Sequence, residues 1–167
     1  MKINSIFIVV LMIFINSNTL ASEVDDFYEK GIAAQDKQDY ELAIKWLTKA
    51  AEEIHTDAQI NLAKIYQSNE KFKNDKEAYR WYQSAAYHGN SLAQIEVSKY
   101  IQSGEVTRQD NFMAYVWLRV AVHYGAKGVE VDIARLAKLF SSEDIEIAII
   151  ERDKKIFQIE QAMARFK

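Results

Sequence analysis

The chain has 167 residues, no cysteine, no proline and a formal net charge of −3. The lack of cysteine excludes disulfides, and the lack of proline leaves only short polar segments to end helices, so the composition favours an all-α protein. Because non-specific binding to nucleic acid relies on a basic surface, the acidic balance argues against a nucleic-acid partner.

The first 21 residues differ in composition from the rest of the chain. Lys2 precedes a ten-residue apolar run from Ile6 to Ile15, and a polar stretch then leads to a small residue at Ala21. This order is typical of a secretory signal peptide, so we expect cleavage after Ala21 and a periplasmic or secreted protein without a stable membrane anchor. The alternative is an uncleaved anchor, which needs about 20 apolar residues, roughly twice the length of this run.

Three helices are predicted between residues 22 and 69. The first runs from Asp25 to Gln35 and the second from Tyr40 to Glu53, with a polar link between them. Thr56 is predicted to cap the N-terminus of the third helix, because threonine is favoured at that position and Asp57 suits the first turn. The chain after the apolar run therefore begins as short helices joined by polar links.

All three tryptophans occupy the same position of one motif. The motif reads A-Y-R-W-Y-Q-S-A-A-Y-H-G at Ala78 to Gly89, and shorter copies lie at Ala43 to Ala51 and at Ala114 to Val122. In each copy Ala, Trp, an apolar residue and Ala fall at i, i+3, i+4 and i+7, which is one stripe of an α-helix. The tryptophans are 35 and then 36 residues apart, a period typical of a stacked helical array. We therefore predict that they are core residues rather than an exposed binding platform, and that alanine is most destabilising at the second of Trp46, Trp81 and Trp117.

A second motif precedes the tryptophan motif. Ala58 to Asn69 matches Ala93 to Gly104 at a distance of 35 residues, with Ala, Gln, Ile, Lys, Gln and Ser unchanged. The repeat is therefore a helix A, a loop and a helix B that carries the tryptophan, and Val129 to Phe140 is predicted as a fourth helix A. One position of helix A is small in every copy, which lets a neighbouring helix approach closely: Gly31, Ala63, Ser98 and Ala134.

Residues 141–167 are predicted to form a long final helix. Ser141 and Asp144 have the spacing of a capping box at its start. An apolar stripe with heptad-like spacing follows, interrupted by Arg152, and consists of Ile145, Ile149, Ile156, Ile159, Met163 and Phe166. Because the terminal element of a solenoid must cover the open end of the stack, we predict a capping helix. The alternative is that this stripe forms the seam of a coiled-coil dimer; we favour a monomer.

With these motifs, residues 25–140 resemble the Sel-one-like repeat family, a branch of the tetratricopeptide-type α-solenoids. The resemblance rests on the A-x-x-W-Y-x-x-A-A-x-x-G pattern at Ala78 to Gly89 and on the preceding pattern of Ala58 to Tyr66. It implies a right-handed α-solenoid of about three and a half helix-turn-helix repeats over residues 22–140, with a long C-terminal capping helix. It also implies a non-enzymatic scaffold that holds a protein or peptide partner in the cell envelope or outside the cell.

The resemblance further implies that helix A lines the concave side of the array, where three columns run across the repeats. The first column is apolar and consists of Tyr28, Ile60, Ile95 and Val131. The second is mostly basic and consists of Ile32, Lys64, Lys99 and Arg135. The third is polar and consists of Gln35, Gln67, Gln102 and Lys138. A basic row in an acidic protein suggests an acidic partner, although repeat duplication with solvated lysines is the alternative. The predicted partner-binding residues are Tyr28, Ile60, Lys64, Gln67, Ile95, Lys99, Gln102, Arg135 and Lys138.

Two patterns bear on catalysis and metal binding. Ser68 and Lys71 have the S-x-x-K spacing of penicillin-recognising serine hydrolases, which makes an envelope or peptidoglycan-acting hydrolase the alternative function. The companion S-D-N and K-T-G elements are absent from the sequence. The three histidines, His55, His88 and His123, lie near turns of different repeats, whereas metal ligands converge on one site. We expect no catalytic residue, metal or cofactor.

Overall fold

A computed structural model describes residues 22–165, which form eight α-helices and no strand. The helices are α1 (22–36), α2 (Tyr40–Glu52), α3 (Thr56–Ser68), α4 (Asp75–Tyr87), α5 (Ser91–Ser103), α6 (Asn111–His123), α7 (Glu130–Ala137) and α8 (Ser142–Ala164). The all-α class and the helix-turn-helix repeats of an α-solenoid are confirmed. The predicted signal peptide and Phe166 lie outside the described residues. Within residues 22–165, none of the helices combines the length and the apolar character needed to cross a membrane.

The chain divides within α3 into two compact units, the first ending at Ala58 and the second beginning at Gln59. In the first unit, α1 and α2 pack closely at Gly31. A Cβ atom at Gly31 would lie 2.7 Å from both Cγ and Cδ2 of Leu47, a side chain with no exposed surface. The predicted close approach at the small position of helix A is therefore confirmed in this unit.

Trp46 lies at the surface of the first unit. Its ring is half-buried and stacks on Phe27 at a centroid distance of 5.7 Å. The amino groups of Lys30 and Lys49 lie 5.1 and 4.7 Å from the same ring, so lysine side chains cover part of it. The prediction that Trp46 is a core residue is wrong, because within its unit this ring packs on an aromatic neighbour and lysine stems rather than in an enclosed interior.

His55, rather than Thr56, caps the start of α3. The backbone N–H of Ala58 donates to Nδ1 of His55 at 3.2 Å, the position at which an N-cap side chain accepts, and α3 begins at Thr56 itself. The predicted cap is therefore one residue too late. The starts of α2, α4, α5 and α6 carry the usual Asx caps, in which the side-chain oxygens of Asp39, Asn74, Asn90 and Asp110 accept from backbone N–H groups.

The core of the second unit contains the other two tryptophans. Trp81 and Trp117 are 5% and 2% exposed, which confirms the prediction for both. Trp117 of α6 meets the ring of Tyr87 of α4 edge to face at 5.4 Å. The glutamine of the repeated Ala-Gln-Ile motif is buried as well: Nε2 of Gln94 donates to the backbone oxygen of Ala86 at 3.1 Å and so satisfies a carbonyl at the end of α4.

The fourth helix A is shorter than predicted, since α7 ends at Ala137 instead of Phe140. Its small position, Ala134, is exposed, unlike Ala63 and Ser98 at the same place in α3 and α5. In the first unit the small position contacts the helix B of its own repeat. We attribute the exposure of Ala134 to a missing helix B, because α8 packs on α6 rather than pairing with α7.

The final helix begins at the predicted capping box, which Ser141 and Asp144 form with reciprocal hydrogen bonds. α8 packs on α6 and also contacts α4. The amino group of Lys155 lies 4.7 Å from the ring of Trp117, and burial lowers the pKa of this lysine. The predicted stripe is correct at Ile159, which is fully buried, but wrong at Ile149, which is 41% exposed. Ala148 is buried instead, because the side of α8 that packs on α6 is shifted by one residue from the predicted stripe at this point.

Candidate partner-binding surface

The exposed side of α3, α5 and α7 in the second unit carries most of the predicted site residues, and we refer to it as the helix A face. Two hydrogen bonds join neighbouring helices of this face. Nε2 of Gln67 donates to Oε2 of Glu96 at 3.3 Å, and Nη2 of Arg135 donates to Oε1 of Gln102 at 3.0 Å. The second bond joins the basic and polar columns of successive repeats, whereas Glu96 in the first bond belongs to neither column.

The basic column of the helix A face is largely neutralised by its own helices. Nζ of Lys99 lies 2.6 Å from Oε1 of Glu96, and Nη2 of Arg135 lies 3.1 Å from Oδ1 of Asp132. Both acids precede the base by three residues, a spacing that places them on one helix face. At the corresponding position before the exposed Lys64 the chain has Asn61. Within the basic column, positive charge without such an acid remains at Lys64. The spacing of the two acids is visible in the sequence.

A cleft of about 290 Å³ opens on the helix A face between α3, the start of α4 and α5. Its lining is polar and carries both signs of charge. The cleft contains two predicted residues, Gln67 and Lys99, and six that sequence reasoning missed: Lys73, Asp75, Glu96, Tyr100, Ser103 and Glu105. Tyr100 and Asp75 come from different repeats, so spacing within one helix gives no signal that joins them.

Two tyrosines form hydrogen bonds with residues that line this cleft. Oη of Tyr82 donates to Oε1 of Gln67 at 2.9 Å, and Oη of Tyr100 donates to Oδ1 of Asp75 at 3.4 Å. Burial, reinforced by the charge of Asp75, raises the pKa of Tyr100 to about 12. Burial and the nearby Glu96 also raise the pKa of Tyr82. Both hydroxyls therefore keep their protons to a higher pH than an ordinary tyrosine does, and they can donate to Gln67 and Asp75.

The apolar column does not form a uniform surface. Ile60 is only 6% exposed and belongs to the core, whereas Ile95 is half-buried and Val131 is 79% exposed. Tyr28 lies in the first unit, where its ring stacks on His55 at 4.3 Å. Lys138, at the end of α7, is exposed. Within the second unit, Ile95 is thus the apolar candidate nearest the paired polar residues of α5.

A larger cleft of about 460 Å³ lies between α6 and α8, away from the predicted residues. Its residues are Arg119, Val122, His123, Arg152, Asp153, Ile156, Phe157 and Glu160. Arg152 forms an ion pair with Asp153 in it, with Nη2 and Oδ1 at 2.7 Å. This cleft combines apolar and charged groups, but no repeated column leads into it, so the helix A face remains the better candidate for partner binding.

No observation supports the hydrolase alternative. Oγ of Ser68 donates to the backbone oxygen of Lys64 at 2.8 Å, so its proton is directed at the helix backbone. The amino group of Lys71 lies 4.9 Å from the ring of Phe72. Among residues 22–165, no three His, Asp or Glu side chains are placed to hold a metal ion.

Comparison with known proteins supports the division of the chain into helical repeats. The Sel1 repeat profile matches residues 20–55, 56–90 and 91–123, whereas no curated protein matches the chain. A crystal structure of a Sel1 repeat protein from Oxalobacter formigenes is similar, with 32% identity and a TM-score of 0.53 over 56% of this chain and 39% of that one.

A second similar structure is that of c5321, a protective antigen present in uropathogenic Escherichia coli strains that displays an SLR fold. The TM-score is 0.69 and the identity 20%, over 85% of this chain and 32% of that one, a likeness that shows the fold alone. The chain spans well under half the length of either protein. Sel1 repeats generally act as non-enzymatic modules of protein–protein interaction. Because three Sel1 repeats account for more than half of its residues, the chain belongs to the Sel1 repeat family.

Proposed function

We propose that the chain is an exported scaffold that holds a segment of a protein partner on the helix A face of its second unit. The observation that carries this proposal is the pairing of repeat positions across neighbouring helices, Gln67 with Glu96 and Gln102 with Arg135. Such pairs hold donors and acceptors at fixed places beside an open cleft, and preorganised polar groups reduce the cost of ordering a ligand.

The charges of this face favour a particular kind of segment. Because Lys99 and Arg135 already have acidic neighbours, a run of acidic residues would gain little from them. Lys64 favours one carboxylate in the bound segment, and Lys73, Asp75 and Glu105 at the cleft favour mixed polar groups beside it. Exposed ion pairs contribute about 0–1 kcal/mol each, so the segment must also place an apolar side chain near Ile95.

A photoreactive amino acid at the helix A face tests the proposal. When it replaces Lys64 or Gln102 in living cells, we expect irradiation to link the chain to the same partner at both positions. Lys76, an exposed residue of α4 that does not line the cleft, provides the control. Cross-linking to that partner from position 76 alone would place the interface elsewhere.

Reversing charge on this face should impair binding without unfolding the protein. For Lys64→Glu combined with Lys99→Glu, we expect slower association with the cross-linked partner and a loss of stability of no more than about 1 kcal/mol, because both side chains are exposed and the Lys99–Glu96 ion pair lies at the surface. The matched control is Lys76→Glu with Arg108→Glu, which changes the total charge equally at two other exposed positions. Equal loss of binding in the two double variants would show that overall charge, rather than this face, governs association.

The proposed export rests on the segment that ends at Ala21. We expect the chain recovered from the cell envelope or the medium to begin at Ser22, as measured by the intact mass of the protein. The same protein with Ala21→Arg should be processed poorly, because signal peptidases require a small residue before the cleavage site. A recovered chain that retains Met1 would contradict cleavage.

A further inference from the structure

α8 carries an apolar stripe on its outer side. Ile147, Ile150 and Phe157 are 45%, 55% and 62% exposed, although large apolar side chains are usually buried. With Lys154, which is also exposed, they are spaced by three, four and three residues. This is the a/d spacing of a helix that packs against another helix.

The outer stripe lies apart from the buried face by which α8 joins its own unit, and of its residues only Phe157 also borders the cleft between α6 and α8. Ala148 and Ile159 are buried on the inner face, where Lys155 also covers Trp117. The apolar stripe considered from the sequence as a coiled-coil seam includes Ile159. Because Ile159 packs inside its own unit, that stripe is not free to pair with a second copy. The outer stripe is left exposed, which makes α8 apolar on two sides.

We propose that the outer stripe of α8 pairs with the same stripe of a second copy, in antiparallel orientation about a twofold axis near residue 152. Residue 152 is midway between Ile147 and Phe157, so the axis sets Ile147 of each copy against Phe157 of the other copy. It also sets Ile150 against the aliphatic stem of Lys154. Every contact of such an isologous interface occurs twice.

The charges of α8 favour this orientation over a parallel one. Lys154 forms an ion pair with Glu151 of its own helix, with Nζ and Oε1 at 2.6 Å. In the antiparallel pair each Lys154 also approaches the Glu151 of the other copy, so two bases and two acids alternate near the axis. A parallel pair would set the two Lys154 side chains directly against each other, which is unfavourable. Asp153 adds no unpaired acid, because Arg152 neutralises it.

The expected affinity follows from the size of the contact. α8 has 23 residues and is about 34 Å long at 1.5 Å per residue. A single pair of helices of that length buries less surface than a typical permanent dimer, so the dimer should form and dissociate with protein concentration. The inference is independent of the partner proposed for the helix A face.

Sedimentation equilibrium of the chain as isolated from cells tests the proposal. We expect the average mass to rise towards twice that of one chain as the concentration increases, and Ile150→Glu to remain at the mass of one chain. Ile149→Glu is the matched control, because Ile149 is 41% exposed on the same helix but lies off the stripe. It should dimerise like the unaltered protein, and circular dichroism should show the same helix content in both variants.

Charge reversal tests the orientation of the two helices. Lys154→Glu should weaken the dimer at least several-fold, and Glu151→Lys combined with Lys154→Glu should restore it. A chain that stays at the mass of one copy at every concentration would overturn the proposal, as would equal loss of the dimer in Ile150→Glu and Ile149→Glu. A single copy that binds a different protein through Ile150 would likewise overturn it.

Discussion

Replacing Trp117 by alanine is expected to lower the free energy of unfolding by about 3–5 kcal/mol, the usual cost of removing a buried aromatic side chain. The ring is 2% exposed, meets Tyr87 of the preceding helix B and lies under Lys155 of α8. Its loss therefore leaves a cavity where α4, α6 and α8 meet. Denaturation by urea, followed by circular dichroism, measures the change.

Trp46→Ala is the control for Trp117→Ala, since both tryptophans occupy the same position of the repeat. Because Trp46 is half-buried, we expect its loss to cost about 1–2 kcal/mol, in proportion to the apolar area it removes from water. Trp81 is 5% exposed and should behave like Trp117, so its burial gives no reason to expect alanine to be most destabilising at the middle tryptophan. Equal losses of unfolding free energy at Trp46 and Trp117 would show that the repeat position, rather than burial, decides how much each tryptophan stabilises the protein.

Gly31→Leu is expected to lower the free energy of unfolding by about 3 kcal/mol, at the upper end of the range for overpacked cores. Even a single added carbon would approach two atoms of the buried Leu47 to 2.7 Å. Leucine improves the helix propensity of α1 by up to about 1 kcal/mol, which offsets only part of this cost. Thermal unfolding of the variant measures the net effect.

Ala134→Leu provides the comparison for Gly31→Leu, because Ala134 has the same repeat position on α7 but is exposed. We expect a change within about 0.5 kcal/mol, as for most surface substitutions. A large loss of stability at Ala134 would mean that a helix covers this position in solution, and a tolerated leucine at Gly31 would mean that α1 and α2 can separate without cost.

The helices and their order were predictable because they depend on local patterns. Periodicity located the helices to within a few residues, and the capping box of Ser141 and Asp144 was correct because its two residues are near neighbours in sequence. The cap of α3 was misplaced, since histidine at position 55 accepts a hydrogen bond only when its ring nitrogen faces the helix start. The end of α7 was also misplaced, because no helix B continues that repeat.

The exposure of the predicted site residues could be foreseen only in part, because repeat position does not fix exposure. Lys64 and Lys99 are exposed as expected, but Ile60 is buried at the position where Val131 is exposed. The acidic partners of Lys99 and Arg135 were present in the sequence at a spacing of three residues, and that spacing could have shown that the basic column is paired. The contact between Tyr100 and Asp75 in the cleft could not be predicted from the sequence, because 25 residues separate them.

The sequence by itself determined an all-α chain of Sel1 repeats, since a 35-residue period and the helical stripes within it require only that equivalent residues form equivalent helices. The tertiary structure decided which members of each repeated set are buried. Trp46 and Trp117 share one position, yet only the second lies in an enclosed core, and Gly31 and Ala134 share another, yet only the first meets a neighbouring helix. The same holds for α8, whose apolar residues lie on two sides and whose inner face was fixed only by its packing on α6. The physical reason is that the burial of a residue depends on which helix packs against it. A repeated sequence pattern does not show which repeats lack a neighbouring helix.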